Sequence, residues 1–143
     1  MIQSTRTPSI DLEGFTSIVF GYEAEDDIAM IHFDGPRPAI TEEADDGWYL
    51  RLADDTVIGM ELHGFRVGML TRPQFLRAFE PAIRELEAHA GKSLESGLVV
   101  SGTLAELPRT THLAIFLTGQ GLARLEALRQ EEMKAAARKF FDS

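Results

Sequence analysis

The chain contains no cysteine. Disulfides, thiolate metal centres, iron–sulfur clusters and cysteine nucleophiles are therefore excluded together. No apolar run reaches the roughly 18 residues that a membrane-spanning helix needs, and the first residues lack the basic-then-apolar order of a secretory signal. The sequence thus predicts a cytoplasmic protein without a membrane partner. Positive charge is also scarce, with 14 Lys and Arg against 23 Asp and Glu and a formal net charge of −9. The shortage is concentrated in residues 1–66, which hold 14 acids and 4 bases, whereas residues 67–143 hold 9 acids and 10 bases. Affinity for nucleic acid comes largely from Lys and Arg displacing counterions from phosphates. No basic cluster here is longer than Arg138-Lys139, so nucleic acid is not an expected partner, and a nucleic-acid-binding antitoxin is disfavoured. Acidic surface of this kind serves solubility, or meets a basic protein or divalent cations.

What is present is ordinary globular material: 143 residues, 44% hydrophobic and 26% charged. A folded chain of this length buries roughly 70% of the surface its unfolded form exposes, so one domain with a real core is expected. Residues 1–9 are polar and read as a flexible leader. Phe15 to Tyr22 is rich in β-branched and aromatic residues, as strands are. Glu23 to Asp27 packs four carboxylates into five residues and reads as a solvated turn. Ile28 to Phe33 resumes as a strand, and so short a connection favours an antiparallel hairpin. Pro36 and Pro38 break the pattern. Thr41 to Gly47 reads as a second acidic stretch ending in a tight Asp46-Gly47 turn. Trp48–Leu52 and Val57–Leu62 are the third and fourth strands, joined through Asp54-Asp55. Residues 10–66 are thus expected to form a four-stranded β-meander.

At Thr71 the apolar period changes from two to 3.6. Thr71 and Gln74 have capping-box spacing, and Phe75, Phe79, Ile83 and Leu86 draw one stripe. Pro81 is expected to kink this helix or restart it, and Gly91 to stop it. Residues 92–107 suggest a short helix or irregular piece, with a helix after Pro108. Gly119-Gln120-Gly121 reads as a helix break and restart. A terminal helix follows, with Leu122, Leu125, Leu128, Met133, Ala136 and Phe140 on one face.

The series Tyr22-Glu23-Ala24-Glu25-Asp26-Asp27, Ile28-Ala29-Met30-Ile31, Glu42-Glu43, Asp46-Gly47 and Val57-Ile58-Gly59-Met60-Glu61-Leu62, in that order and spacing, resembles the YuzE-type domain of unknown function. That family comprises small bacterial proteins. The resemblance spans residues 15–65; Arg51-Leu52-Ala53 stands where the family has an acidic strand end, and the helical half has no counterpart. It implies a small bacterial β-rich module and brings no catalytic residues with it.

Five residues stand out as functional candidates. Glu25 and Asp27 belong to a carboxylate set, with Asp26, Asp45, Asp46 and Glu61, that could supply oxygen ligands to a divalent ion. Consecutive acids lack the alternating ligand spacing of a calcium loop, so solvated turns are the expected outcome and no metal or cofactor is assigned. Glu61 interrupts an apolar strand, and a buried carboxylate there needs a partner, with Arg51 the nearest candidate. His32 and His63 lie on strands and could join Glu61 in a metal or acid–base site. Ser101 lacks a nucleophile elbow, and Gly119-Gln120-Gly121 lacks the lysine of a phosphate loop.

The sequence therefore predicts an α+β fold, an antiparallel four-stranded β-meander with C-terminal helices packed on one face. Its expected role is a non-catalytic protein-interaction or regulatory module, expected to form a homodimer and open to another protein partner. The alternative is a small enzyme using carboxylate and histidine acid–base chemistry. A concave pocket holding Glu61 with a histidine would favour the enzyme; a flat apolar patch would favour the module.

Overall fold

The computed structural model describes residues 14–35 and 37–142; the expected leader lies outside them. Six strands form one antiparallel sheet: β1 (Ser17–Glu23), β2 (Ile28–Phe33), β3 (Ile40–Asp45), β4 (Trp48–Ala53), β5 (Thr56–His63) and β6 (Leu98–Thr103). Two long helices accompany it, α1 (Pro73–Ala90) and α2 (Pro108–Asp142). The α+β class and the antiparallel sheet agree with expectation, but the strand count and the strand order do not.

The sheet order is β3-β4-β5-β2-β1-β6. A single meander would have set β2 beside the Trp48 strand; instead β2 pairs with β5, Ala29 opposite Leu62 and Ile31 opposite Met60. The chain leaves β2 through two left-handed residues, Asp34 (φ 58°) and Gly35 (φ 83°). Asp34 holds this exit in place, since its Oδ1 accepts the backbone N–H groups of Thr16 (2.9 Å) and Ser17 (3.0 Å). The acidic stretch expected to be a turn is β3, whose Glu42, Glu43 and Asp45 belong at an edge where charge blocks further strand pairing. β5 and β2 have buried alternate residues such as Met60, Leu62, Ala29 and Ile31, and they take the centre.

The second added strand, β6, replaces the helical or irregular piece expected before Pro108. It pairs with β1, Phe20 opposite Val100, so the second half of the chain is not helical throughout. Leu98 and Val100 are buried while Val99 is 74% exposed. That alternation is a strand signal, which a short apolar run does not reveal by itself.

α1 buries Phe75, Phe79 and Leu86, as the stripe predicts. The Phe79 ring lies 5.3 Å from Phe65 and 5.8 Å from Phe75. The expected Thr71 cap is not formed. Arg72 is the N-cap, Pro73 opens the helix, and the Thr71 hydroxyl donates to the carbonyls of Val67 and Gly68. The helix continues through Pro81 and stops at Gly91, which adopts φ 69°. α2 starts at Pro108 beneath Glu85 of α1. The Glu85 carboxylate accepts the Thr110 backbone N–H (2.7 Å), the Thr110 hydroxyl (2.8 Å) and the Arg109 N–H (3.3 Å).

No helix break occurs at Gly119-Gln120-Gly121, since α2 runs through all three residues. A Cβ on Gly121 would lie 2.8 Å from Leu50 Cδ2 and 3.4 Å from Met60 Cε. Here glycine permits close helix–sheet approach. Beyond this point the predicted terminal stripe divides. Leu125 is 3% exposed and Leu122 packs against the core, whereas Leu128 (39%), Met133 (72%) and Phe140 (77%) are exposed. Among the described residues, no helix is long and apolar enough to cross a membrane.

Candidate functional site

Alternation along the strands sends Phe20, Ile31, Leu50 and Met60 toward the helices and their neighbours to the opposite face. On that opposite face, cross-strand register sets Tyr49 beside Glu61, Glu61 beside Met30, and Gly59 between Arg51 and His32. Three sequence candidates therefore share one surface. Glu61 and His63 stand two residues apart on β5, and His63 Nε2 lies 3.4 Å from Glu61 Oε1. The Tyr49 ring flanks His63, centroid to centroid 4.8 Å.

His32 faces Gly59. A Cβ at position 59 would lie 3.3 Å from His32 Nδ1 and 2.6 Å from the Ile31 carbonyl oxygen, so glycine makes room for the imidazole. Burial pushes the His32 pKa down, and the nearby Arg51 charge adds to this while Glu61 opposes it. His32 is thereby biased toward its neutral form. Arg51 does not form the expected pair with Glu61. Its Nη2 donates to the Arg37 carbonyl at 3.1 Å, and its Nε is buried without a hydrogen-bond partner.

The two remaining candidates lie in the β1–β2 turn. Glu25 is exposed there. Asp27 is an anchor: its Oδ1 and Oδ2 accept the backbone N–H groups of Arg66 (2.8 Å) and Val67 (3.0 Å), and its carbonyl accepts those of Gly64 and Phe65. The Tyr22 hydroxyl also donates to Asp27 Oδ1. The carboxylate thus caps the π-helical turn Phe65–Met69, as acids do at helix N-termini. Burial pulls the Asp27 pKa upward, but these hydrogen bonds outweigh it and hold the group below the usual carboxylate range. Burial raises the Tyr22 hydroxyl to about 12, assisted by its bond to Asp27.

A cleft of about 400 Å3 opens at one end of the sheet, lined in part by His63, Gly64, Gly68, Arg72 and Arg124. Neither Glu61 nor His32 lines it. Among the described residues, no three His, Asp or Glu side chains gather as a metal ion would require. Of the Glu61–His63 pair, only His63 reaches the cleft, and Glu61 stays on the sheet surface outside it.

Sequence reading did not single out Arg124. Its guanidinium lies 4.1 Å from the Trp48 ring centroid and its Nε 3.5 Å from Asp45 Oδ2. Farther along the same helix, Arg129 Nη2 meets Glu42 Oε2 at 2.9 Å. These pairs fasten α2 to the acidic edge strand just before the helix leaves the body of the domain. From Gln130 to Phe141 every residue is exposed, including Met133 (72%) and Phe141 (82%). Period-3.6 patterning identifies the apolar stripe but not the position at which its cover ends.

Compared with known proteins, the chain matches no family model, no curated protein and no solved structure.

Proposed function

We propose that this protein is a non-catalytic interaction module whose contact element is the projecting end of α2. The observation that carries this reading is the run of exposed residues from Gln130 to Phe141, in which Met133, Phe140 and Phe141 are 72%, 77% and 82% exposed on a continuous helix. Isolated helices of about a dozen residues are marginal in water, and large apolar side chains grouped on an exposed element mark contact surfaces. The helix end is held out from the domain by its continuity with the buried segment and by the Arg124 and Arg129 pairs. The resemblance of residues 15–65 to YuzE-type domains fits a small bacterial module and adds no chemistry to it.

The alternative, a carboxylate–histidine enzyme, draws on the 3.4 Å Glu61–His63 pair. It is the weaker reading because the cleft that includes His63 leaves Glu61 outside. A photoreactive benzoylphenylalanine in place of Phe141, irradiated in the native cell, tests the module. A discrete cross-linked protein species is expected. Absence of any adduct from a folded, expressed chain would remove the contact role.

A further inference from the structure

Where α1 and α2 pack together, residues spaced three and four apart bring Arg77, Pro81 and Arg84 to one side of α1, and Arg109, His112 and Phe116 to one side of α2. All six are exposed, Phe116 by 40%. A groove of about 540 Å3 lies between Arg77, Glu80, Pro81, Arg84 and Arg109. A second, of about 270 Å3, continues from Pro81 and Arg109 to His112, Leu113 and Phe116. The two share Pro81 and Arg109, so the seam is one channel with a basic end and an apolar end. Its arginines come from two helices, and no linear run of basic residues announces them.

The positive charge here is not cancelled. Glu80 pairs with Arg84. Glu85 and Glu106, which flank the seam in sequence, accept the backbone N–H groups of Arg109, Thr110 and Thr103. Among the described residues, no carboxylate or carbonyl accepts from the guanidinium of Arg77 or Arg109. Two arginines thus stand unpaired beside an exposed phenylalanine, in a chain whose net charge is −9. We propose that this seam docks an acidic segment of another protein, one that carries an apolar side chain beside its carboxylates. The surface is apart from the projecting end of α2, and the proposal does not rest on that element. Guanidinium groups bind carboxylates through paired N–H donors, and arginine and aromatic side chains are enriched at protein contacts. Arg77 and Arg84 are about 10 Å apart along α1 at 1.5 Å rise per residue. Carboxylates three residues apart on an extended segment span about the same distance. Leu113, Phe116 and the Pro81 ring then receive the apolar side chain. A free inorganic anion would use neither the spacing nor the apolar end. A nucleic acid would bring a denser row of charge toward a strongly acidic molecule.

The test is selection of short random peptides displayed on phage against the immobilised full chain. A molecule of net charge −9 attracts basic peptides non-specifically, so acidic enrichment is not a background result. Peptides rich in Asp and Glu with a leucine or aromatic residue are expected. A consensus rich in Lys and Arg, or no consensus, would overturn the proposal. Arg77→Gln with Arg109→Gln is expected to weaken the selected peptides more than tenfold. Both side chains are exposed, so the variant is expected to fold, and circular dichroism verifies this. Lys134→Gln with Lys139→Gln removes the same charge from the projecting helix and is expected to leave binding nearly unchanged. Equal losses in the two variants would mean that overall charge is read rather than this seam, and would overturn it. Reselection against Phe116→Ser is expected to keep the acids and lose the apolar residue; an unchanged consensus would contradict the two-ended groove. Displacement of the peptides by millimolar inorganic phosphate or by equimolar oligothymidylate would assign the seam to a phosphate-bearing ligand. A wild-type dimer by light scattering that Arg77→Gln with Arg109→Gln converts to monomer would assign it to a second copy of this chain. Either result would overturn the acidic partner.

Discussion

Gly121 of α2 lies so close to Leu50 of β4 that a Cβ on the glycine would come within 2.8 Å of the leucine Cδ2. Leu50 is fully buried, so the crowded atom has little space into which to move. Gly119, two residues earlier, has nothing within 4 Å of its hypothetical Cβ. Two glycines in the same helix are therefore expected to behave oppositely. Gly121→Val is expected to lose about 1–3 kcal/mol through overpacking. Gly119→Ala is expected to gain roughly 0.5–1 kcal/mol from helix propensity. Chemical denaturation midpoints measure both, and equal effects at the two positions would mean that α2 does not approach the sheet at Gly121.

Glu85 joins the two helices by accepting the first backbone donors of α2. Thr110, whose N–H and hydroxyl both donate to it, is fully buried. Glu85→Ala would leave those donors unsatisfied and is expected to cost about 1–3 kcal/mol. Glu85→Gln retains an acceptor oxygen and is expected to cost less. Urea unfolding of the two variants distinguishes loss of the cap from loss of charge alone; a smaller loss for alanine than for glutamine would contradict the capping role.

Asp27 and Tyr22 give the fold opposite dependences on pH. The folded Asp27 pKa lies below the ordinary value. Its contribution is therefore fully present above the unfolded carboxyl pKa of about 3.9 and is lost as pH falls through the lower folded value. Tyr22 has a folded pKa raised from 10.0 to about 12. Its contribution is fully present below the unfolded value and is lost as pH rises through the folded one. The stability advantage of wild type over Asp27→Asn is expected to be level near neutrality and to shrink below about pH 4. Denaturation profiles that stay parallel down to about pH 3 would show that Asp27 does not cap the Phe65–Met69 turn.

Part of the candidate site was legible in the residues themselves. Glu61 and His63 share a face because side chains alternate with period two, and that alone places them within reach of each other. The role of Asp27 was hidden, since the N–H groups it accepts belong to Arg66 and Val67, 39 and 40 residues away. Arg51 was the nearest basic candidate for Glu61, yet it donates to Arg37 in the segment that leads into β3. Its choice depends on where that connection passes.

The sequence by itself determined the local elements: the alternating strands, the tight turns at Asp46-Gly47 and Asp54-Asp55, the apolar face of α1 and its stop at Gly91. These depend on backbone period and on residues that tolerate a left-handed conformation, both readable over a few positions. Tertiary structure decided which strands are neighbours. β5 pairs with β2 because the strands with fully buried alternate residues occupy the centre, leaving acidic β3 at an edge. β6 joins β1 across more than seventy residues of chain, a pairing that no local pattern encodes. Tertiary structure also decided that Gly121 continues a helix rather than ending one, since the close approach of Leu50 rewards a missing side chain. Finally, it divided a single apolar stripe into a buried Leu125 and an exposed Met133, because the sheet beneath α2 ends before the helix does.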